Sequence, residues 1–364
     1  MTYVICALVV LRLFFWRIFP QYGTNFMSDM LFGMFCLTAL ALYNLSSVKK
    51  PLSLWLGTWV VAAALSFFTT QNYTVTFSSW FVLLVYVLLF CALQTVLKRS
   101  NDAAKTIWAT IFLGAAFSSL LGIWEFVKFH YLPSPATHNM TRACSLQGWP
   151  TAFAGFLIMM IPTAWSAVQE HKKGYAWVVL LVLLLGLLSS MSVFAVVSLG
   201  VAFLLVSKTA DVKRIVLSLG VLSLFACSPK TLDSFLAARV EYYSRAWEMI
   251  TQHPLLGAGL GTFQSYGPSK SAFTHNSYIQ LWAEGGPLGL IALLGVALSF
   301  WNMKPKEGDA FQQALFIGLL AVFIDNLFSF TILASSLSFV WWIGLAIYCH
   351  VWQKGKGNGL NRRD

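Results

Sequence analysis

His275 and Asn276, followed after nine residues by Gly286-Pro287-Leu288-Gly289, form the stretch best suited to chemistry. An imidazole titrates near neutral pH, hydrogen-bonds and takes a proton, so at the mouth of an apolar helix it suits proton transfer on a substrate lodged at a membrane surface. A histidine at such an interface is also an ordinary satisfied polar side chain, and His130, His138, His171, His253 and His350 show how little the residue type says alone. Tyr278 and Trp282 follow at helical spacing on the face of His275. Their rings suit stacking on a sugar, or equally an aromatic belt at a bilayer surface, and Asn276 adds an amide to the same candidate contacts.

Arginine supplies the complementary chemistry, since a guanidinium binds phosphate oxygens bidentately and does so more strongly where water competes less. Arg142 stands in the segment Thr141 to Thr151, and Arg239 and Arg245 stand upstream of His275. Arg142 fits either a substrate phosphate or an ordinary lipid headgroup. Arg245, with Glu241 at i−4 and Glu248 at i+3, fits a substrate phosphate or a solvated, salt-bridged face. Arg239 ranks below it, because its helical angle lies nearer the apolar side. The run Gly257-Ala258-Gly259-Leu260-Gly261 offers backbone amides to a phosphate or simply forms a flexible return loop. No strand precedes it, which excludes a dinucleotide-binding turn.

The elements that must position these groups are membrane helices. With 58% hydrophobic and 10% charged residues over 364 positions and a mean hydropathy of +0.71, the chain is no ordinary soluble domain. Apolar runs long enough to cross ~30 Å of hydrocarbon recur throughout. The expected spans are roughly 4–20, 26–45, 52–70, 77–97, 105–131, 150–169, 175–190, 192–207, 213–228, 276–301, 310–330 and 333–352. The fold class is therefore all-α: a polytopic bundle of about 12 transmembrane helices, or 11 if Ser189-Ser190-Met191-Ser192 joins a kinked or re-entrant pair. It forms a single integral membrane domain over 1–364. The first run, Val4 to Phe19, lacks a basic n-region and a cleavage site and reads as a membrane helix rather than a signal peptide. Six scattered cysteines suggest neither a metal site nor a disulfide framework.

The net charge of +11 is mostly a topology signal rather than a nucleic-acid footprint. Alternate loops carry Lys49 and Lys50, Lys98 and Arg99, Lys172 and Lys173, Lys208 and Lys213, Lys304 and Lys306, and the basic tail; the opposite loops hold only Arg142, Lys230, Arg239, Arg245 and Lys270. The positive-inside rule places both termini in the cytoplasm and the candidate chemistry outside, facing the periplasm or exterior. That side excludes nucleotide-driven reactions, so energy must come with the substrate. The long outer segment, 229–275, is expected to contain an amphipathic helix over Leu236 to Thr251, with Leu236, Val240, Tyr243, Trp247 and Ile250 on its apolar face.

Together these residues resemble the O-antigen ligase and polymerase superfamily, membrane glycosyltransferases that use polyprenyl-diphosphate-linked glycans. The resemblance is carried by Ser244-Arg245-Ala246-Trp247, Pro254, Gly257, Gly259 and Phe263, then His275-Asn276 and Gly286 to Gly289, and by Arg142 through Pro150 with Ala154. It implies His275 as the catalytic base or orienting group, and Arg142 and Arg245, with Arg239, as diphosphate-binding residues. The implied reaction moves a glycan from an undecaprenyl diphosphate carrier to an acceptor hydroxyl such as that of lipid A-core, in the bacterial inner membrane. It needs no metal, nucleotide or other cofactor; the partners are the lipid-linked donor, a lipid or glycan acceptor and membrane lipids, with no nucleic acid. A polymerase using the same donor, and a flippase or exporter of lipid-linked sugars, are the alternatives. Two departures stand out: many members carry an arginine after a serine where this chain reads Ser192-Val193, and Asn-Pro-Asn where it reads Trp149-Pro150-Thr151. Of the ionisable residues near membrane spans, Glu125 and Lys128 read as a local ion pair, Glu284 lies too far around its helix to pair with His275, and Asp325-Asn326 suit an acceptor path or an interhelical hydrogen bond.

Overall fold

The structure, a computed structural model, describes residues 52–100, 102–131, 141–171, 174–206, 229–266, 271, 273–305, 309–333 and 335–360, together with 2–3, 5–7 and 9–10. The expected spans 26–45 and 213–228, and most of 4–20, lie outside the described residues. Those described are helical or in turns, without strand. In chain order the helices are α1 (Leu52–Leu65), α2 (Tyr73–Arg99), α3 (Ala103–Tyr131), α4 (Pro150–His171), α5 (Gly174–Ser189), α6 (Val193–Val206), α7 (Pro229–Gln252), α8 (Ser277–Trp301), α9 (Ala310–Asp325) and α10 (Ser335–Leu360).

Within these, Tyr73–Arg99, Ala103–Tyr131, Pro150–Glu170 and Ser277–Trp301 are long and apolar enough to cross a membrane, while Leu52–Phe68, Gly174–Ser189, Val193–Val206 and Ala310–Asp325 are apolar but shorter. This is an integral membrane protein by helix length and composition. The centre of the bundle is α4 against α9. Ala152 to Ile161 of α4 are all buried, as are Ala314 to Phe323 of α9, so both helices are apolar all round because both are enclosed all round. At Gly318 a side chain would run into the Met159 carbonyl, so a small residue there lets the two backbones approach closely. Other close pairs are α1 with α8, α4 with α5, α6 with α9, α2 with α10, and α3 with α5.

Two helix starts bear directly on the outer face. Asn72 caps α2 by accepting from the Val75 amide (3.2 Å), and Asn276 caps α8 by accepting from the amides of Tyr278 (3.0 Å) and Ile279 (3.1 Å). A cap oxygen satisfies donors that have no partner within the helix, so Asn276 fixes where α8 begins and therefore where His275 sits. α8 then breaks at Gly286, whose φ of 69° is left-handed, just ahead of Pro287. Glycine meets that backbone requirement and proline marks the restart, which explains the glycine-proline pair in physical terms.

Helix α7 forms as expected, but burial does not follow its apolar stripe. Val240 is 70% and Trp247 58% exposed, whereas Arg239, Arg245, Ala246, Met249 and Ile250 are buried. Periodicity separates two faces without saying which turns inward. In a membrane protein exposed apolar residues have lipid available to them, Arg239 finds carbonyl partners inside, and Arg245 buries its Nη1 without a hydrogen-bond partner. The solvated, salt-bridged reading of Arg245 is corrected with it: the guanidinium lies over the Phe263 ring, 5.2 Å from its centre, while Glu248 accepts from Gln252.

Candidate active site

His275 occupies the last turn of backbone before the α8 cap, at a φ of 57° that few non-glycine residues adopt. Arg239 of α7 holds it there, one guanidinium nitrogen donating to the His275 carbonyl and the other to the Phe328 carbonyl (2.5 Å) beyond α9. The imidazole is sandwiched: Tyr242, one turn after Arg239, stacks on it at 5.6 Å, and Phe330 meets it edge-on at 4.9 Å. Phe330 is itself stacked on Phe273 at 4.0 Å.

The Ser271 hydroxyl lies within reach of both the Phe273 carbonyl (2.8 Å) and His275 Nε2 (3.3 Å); with its proton on the carbonyl, its oxygen can accept from Nε2. His275 Nδ1 is buried without a hydrogen-bond partner. Burial, followed by the positive charges of Arg239 and Arg142, pulls the imidazole down from 6.5 to about 4, because each disfavours a second positive charge there. The ring is therefore neutral at physiological pH and carries a bare basic nitrogen. Burial also lowers the Arg239 guanidinium, with Tyr243, Tyr242 and Asp325 opposing that effect. Asp325, at the end of α9, is buried and accepts from Ser329 (2.5 Å).

Arg142 approaches from a second outer segment. Its Nε donates to the Ser190 carbonyl (2.9 Å) and its Nη2 to the Ser192 hydroxyl (2.8 Å), both in the turn between α5 and α6. The Ala143 amide donates to the Ser189 carbonyl (3.0 Å) of the same turn. Glu125 of α3 fixes the segment from below, accepting from the amides of Cys144 (3.0 Å) and Ser145 (2.8 Å). That role replaces the local pairing with Lys128 expected from spacing. Ser145 and Met191 share the left-handed backbone of His275, with φ of 51° and 48°.

Of the sequence candidates, then, the structure gathers His275, Arg239 and Arg142, and sets Arg245 apart beside Phe263. The ranking of the two α7 arginines is thereby reversed in position. Tyr278 turns into the bundle, its hydroxyl donating to the Phe323 carbonyl (3.0 Å), and Trp282 meets Trp247 edge-on at 6.2 Å. The glycine run is neither a phosphate cradle nor slack. Glu284 of α8 accepts from the amides of Gly261 (2.9 Å) and Phe263 (3.1 Å) and from Gln280 Nε2 (3.1 Å), while Ala258 and Gly259 donate to the carbonyls of Ala283 and Glu284. Thr69 reaches the Gly257 carbonyl (2.5 Å) and Ser66 accepts from the Leu260 amide (3.2 Å), tying the run to the outer end of α1. Sequence reading passed over Tyr242, Ser271, Phe328 and Phe330; only Tyr242, three residues after Arg239 on the same helical face, was signalled by spacing.

No group of three or more potential metal ligands occurs among the described residues. The neutral base and two guanidiniums gathered at one place are equipped to hold an anion and accept a proton. Residues 140–294 match the O-antigen ligase family model, a segment that contains Arg142, Arg239, Arg245, His275 and the Gly286–Gly289 turn. No curated protein matches the chain.

Proposed function

We propose, from the match of residues 140–294 to the O-antigen ligase family model, that this protein transfers a glycan from a polyprenyl diphosphate carrier to an acceptor hydroxyl on the extracytoplasmic face of the membrane. The observation that carries the reading is the meeting of Arg239 and Arg142 at a neutral histidine with an unengaged Nδ1. The lipid-linked donor has an activated anomeric carbon, so the protein must steady the departing diphosphate and receive one proton. The two guanidiniums neutralise the diphosphate as its bond to C1 breaks and it leaves with the electron pair. The acceptor hydroxyl forms the new bond from the opposite face, inverting C1, and its proton passes to His275 Nδ1. Nδ1 is enclosed in this conformation, so the acceptor reaches it only when the rings about the imidazole separate.

The donor also completes the electrostatics. An anion between Arg142, Arg239 and His275 offsets the charge that depresses the imidazole, so the base strengthens when the donor is seated. Undecaprenyl diphosphate as carrier, lipid A-core as acceptor and the periplasmic face of a bacterial inner membrane complete the proposal. The test is reconstitution with a defined undecaprenyl-diphosphate glycan and lipid A-core, without nucleotide and with chelator. Transfer that persists in both His275→Ala and Arg142→Ala would overturn the site; a strict need for ATP or an ion gradient would overturn the reaction class. A ladder of lengthening glycans would make it a polymerase.

A further inference from the structure

We infer that the start of α6 is a spacer that registers the two arginines, with Ser192 and Phe194 as positioning residues. The inference rests on the reading that Arg142 and Arg239 bind one diphosphate. The two guanidiniums come from different outer segments, α7 and the stretch before α4, and are held by different partners, so something must fix the interval between them. Ser192 takes the Arg142 Nη2 at 2.8 Å. Two residues on, the Phe194 ring stacks on Phe328 with centroids 4.6 Å apart and planes 19° from parallel. Phe328 in turn offers its carbonyl to Arg239. The path from one guanidinium to the other therefore runs through Ser192, the first two residues of α6 and one aromatic stack.

Each link in that path is stiff. Ser190 is fully buried and its hydroxyl donates to the Leu187 carbonyl (2.6 Å), while the Ser192 amide donates back to the Ser190 hydroxyl (3.3 Å). The Ser192 carbonyl starts α6 by accepting from Val196 (3.3 Å), so Phe194 leaves a helical turn whose direction is set. On the other side, Phe328 is fixed by a backbone turn, its amide donating to the Asp325 carbonyl (2.8 Å). A diphosphate has two phosphoryl groups a fixed distance apart, so holding two guanidiniums at a matching interval avoids the ordering cost on binding.

The test uses the full-length protein in the reconstituted transfer assay, measuring donor KM, acceptor KM and kcat, with competition by undecaprenyl diphosphate. Ser192→Ala is expected to raise the donor KM about tenfold, equivalent to ~1.4 kcal/mol, with the acceptor KM unchanged and Ser192→Thr near wild type. In an Arg142→Ala background the same change is expected to add nothing, because the residue it acts through is gone. Phe194→Ala is expected to weaken undecaprenyl diphosphate competition in the same way, with Phe194→Leu intermediate. Should Ser192→Ala fold poorly, Ser192→Thr against Ser192→Val, matched in shape, carries the comparison. Equal losses in both backgrounds, or losses in kcat with donor KM untouched, would overturn the spacer while leaving the transfer reaction standing. A wild-type protein that transfers no glycan, or Arg142→Ala with an unchanged donor KM, would overturn the underlying reading as well.

Discussion

Replacing Arg239 with glutamine removes one of the two positive charges acting on His275 and keeps a shorter, neutral hydrogen-bond donor. In the intact protein the imidazole lies at about 4 instead of 6.5, which corresponds to roughly 3 kcal/mol against protonation at about 1.4 kcal/mol per unit. The neutral form, which the reaction needs, persists above the lowered value and is lost as pH falls through it. Burial is the largest cause and survives the substitution, so Arg239→Gln moves the midpoint up from about 4 without restoring it to 6.5. A bound diphosphate analogue moves it up in the wild type for the same electrostatic reason. The assay is an NMR titration of histidine-labelled protein in nanodiscs, with the His275 resonance identified by its loss in His275→Gln. It reads the imidazole directly and does not depend on residual activity. A wild-type midpoint near 6.5, or one that neither Arg239→Gln nor the analogue displaces, would refute the reasoning.

Three further outcomes follow from the same geometry. Glu284→Gln replaces one of the two oxygens that receive the Gly261 and Phe263 amides with a donor, leaving a buried amide unsatisfied, which costs ~1–3 kcal/mol and lowers the thermal unfolding temperature in detergent. Gly286→Ala forces a Cβ onto a left-handed residue with the Leu255 backbone already against it, costing at least ~1–2 kcal/mol, read as reduced folded yield and earlier unfolding. Arg239→Met and Arg245→Met separate by readout: the first weakens competition by undecaprenyl diphosphate at least tenfold, whereas the second lowers thermal stability and leaves that competition within about threefold, since Arg245 packs on Phe263 away from the imidazole.

Much of the scaffold was legible because membrane helices announce themselves by length. Expected spans such as 105–131, 150–169 and 276–301 fall within a few residues of α3, α4 and α8. That His275 stands just before a membrane helix was legible from the apolar run that follows it. The orientation of α7 was not, because a periodic pattern fixes angles about an axis and leaves the choice of inward face to partners elsewhere in the chain. Arg239 finds those partners at His275 and at Phe328, 36 and 89 residues away, and Glu284 finds its own at Gly261 and Phe263. Ser192 was read as a departure from a family pattern; its use emerged only with Arg142 resting on it.

Ser145, Met191 and His275, the non-glycine residues with left-handed backbone among those described, lie on the segment that carries Arg142, the turn whose Ser190 and Ser192 receive it, and the stretch before α8. Such backbone costs of order 1–3 kcal/mol per residue and is held only where surrounding contacts insist on it. Local opening is consequently expected to start at the proposed site, with amide exchange in these turns outpacing that in the enclosed middle of α4 and α9. A search for hardier versions of this protein would first want glycine or asparagine at those three positions. At His275 that remedy deletes the reactive nitrogen itself, so durability and turnover draw on the same residue in opposite directions.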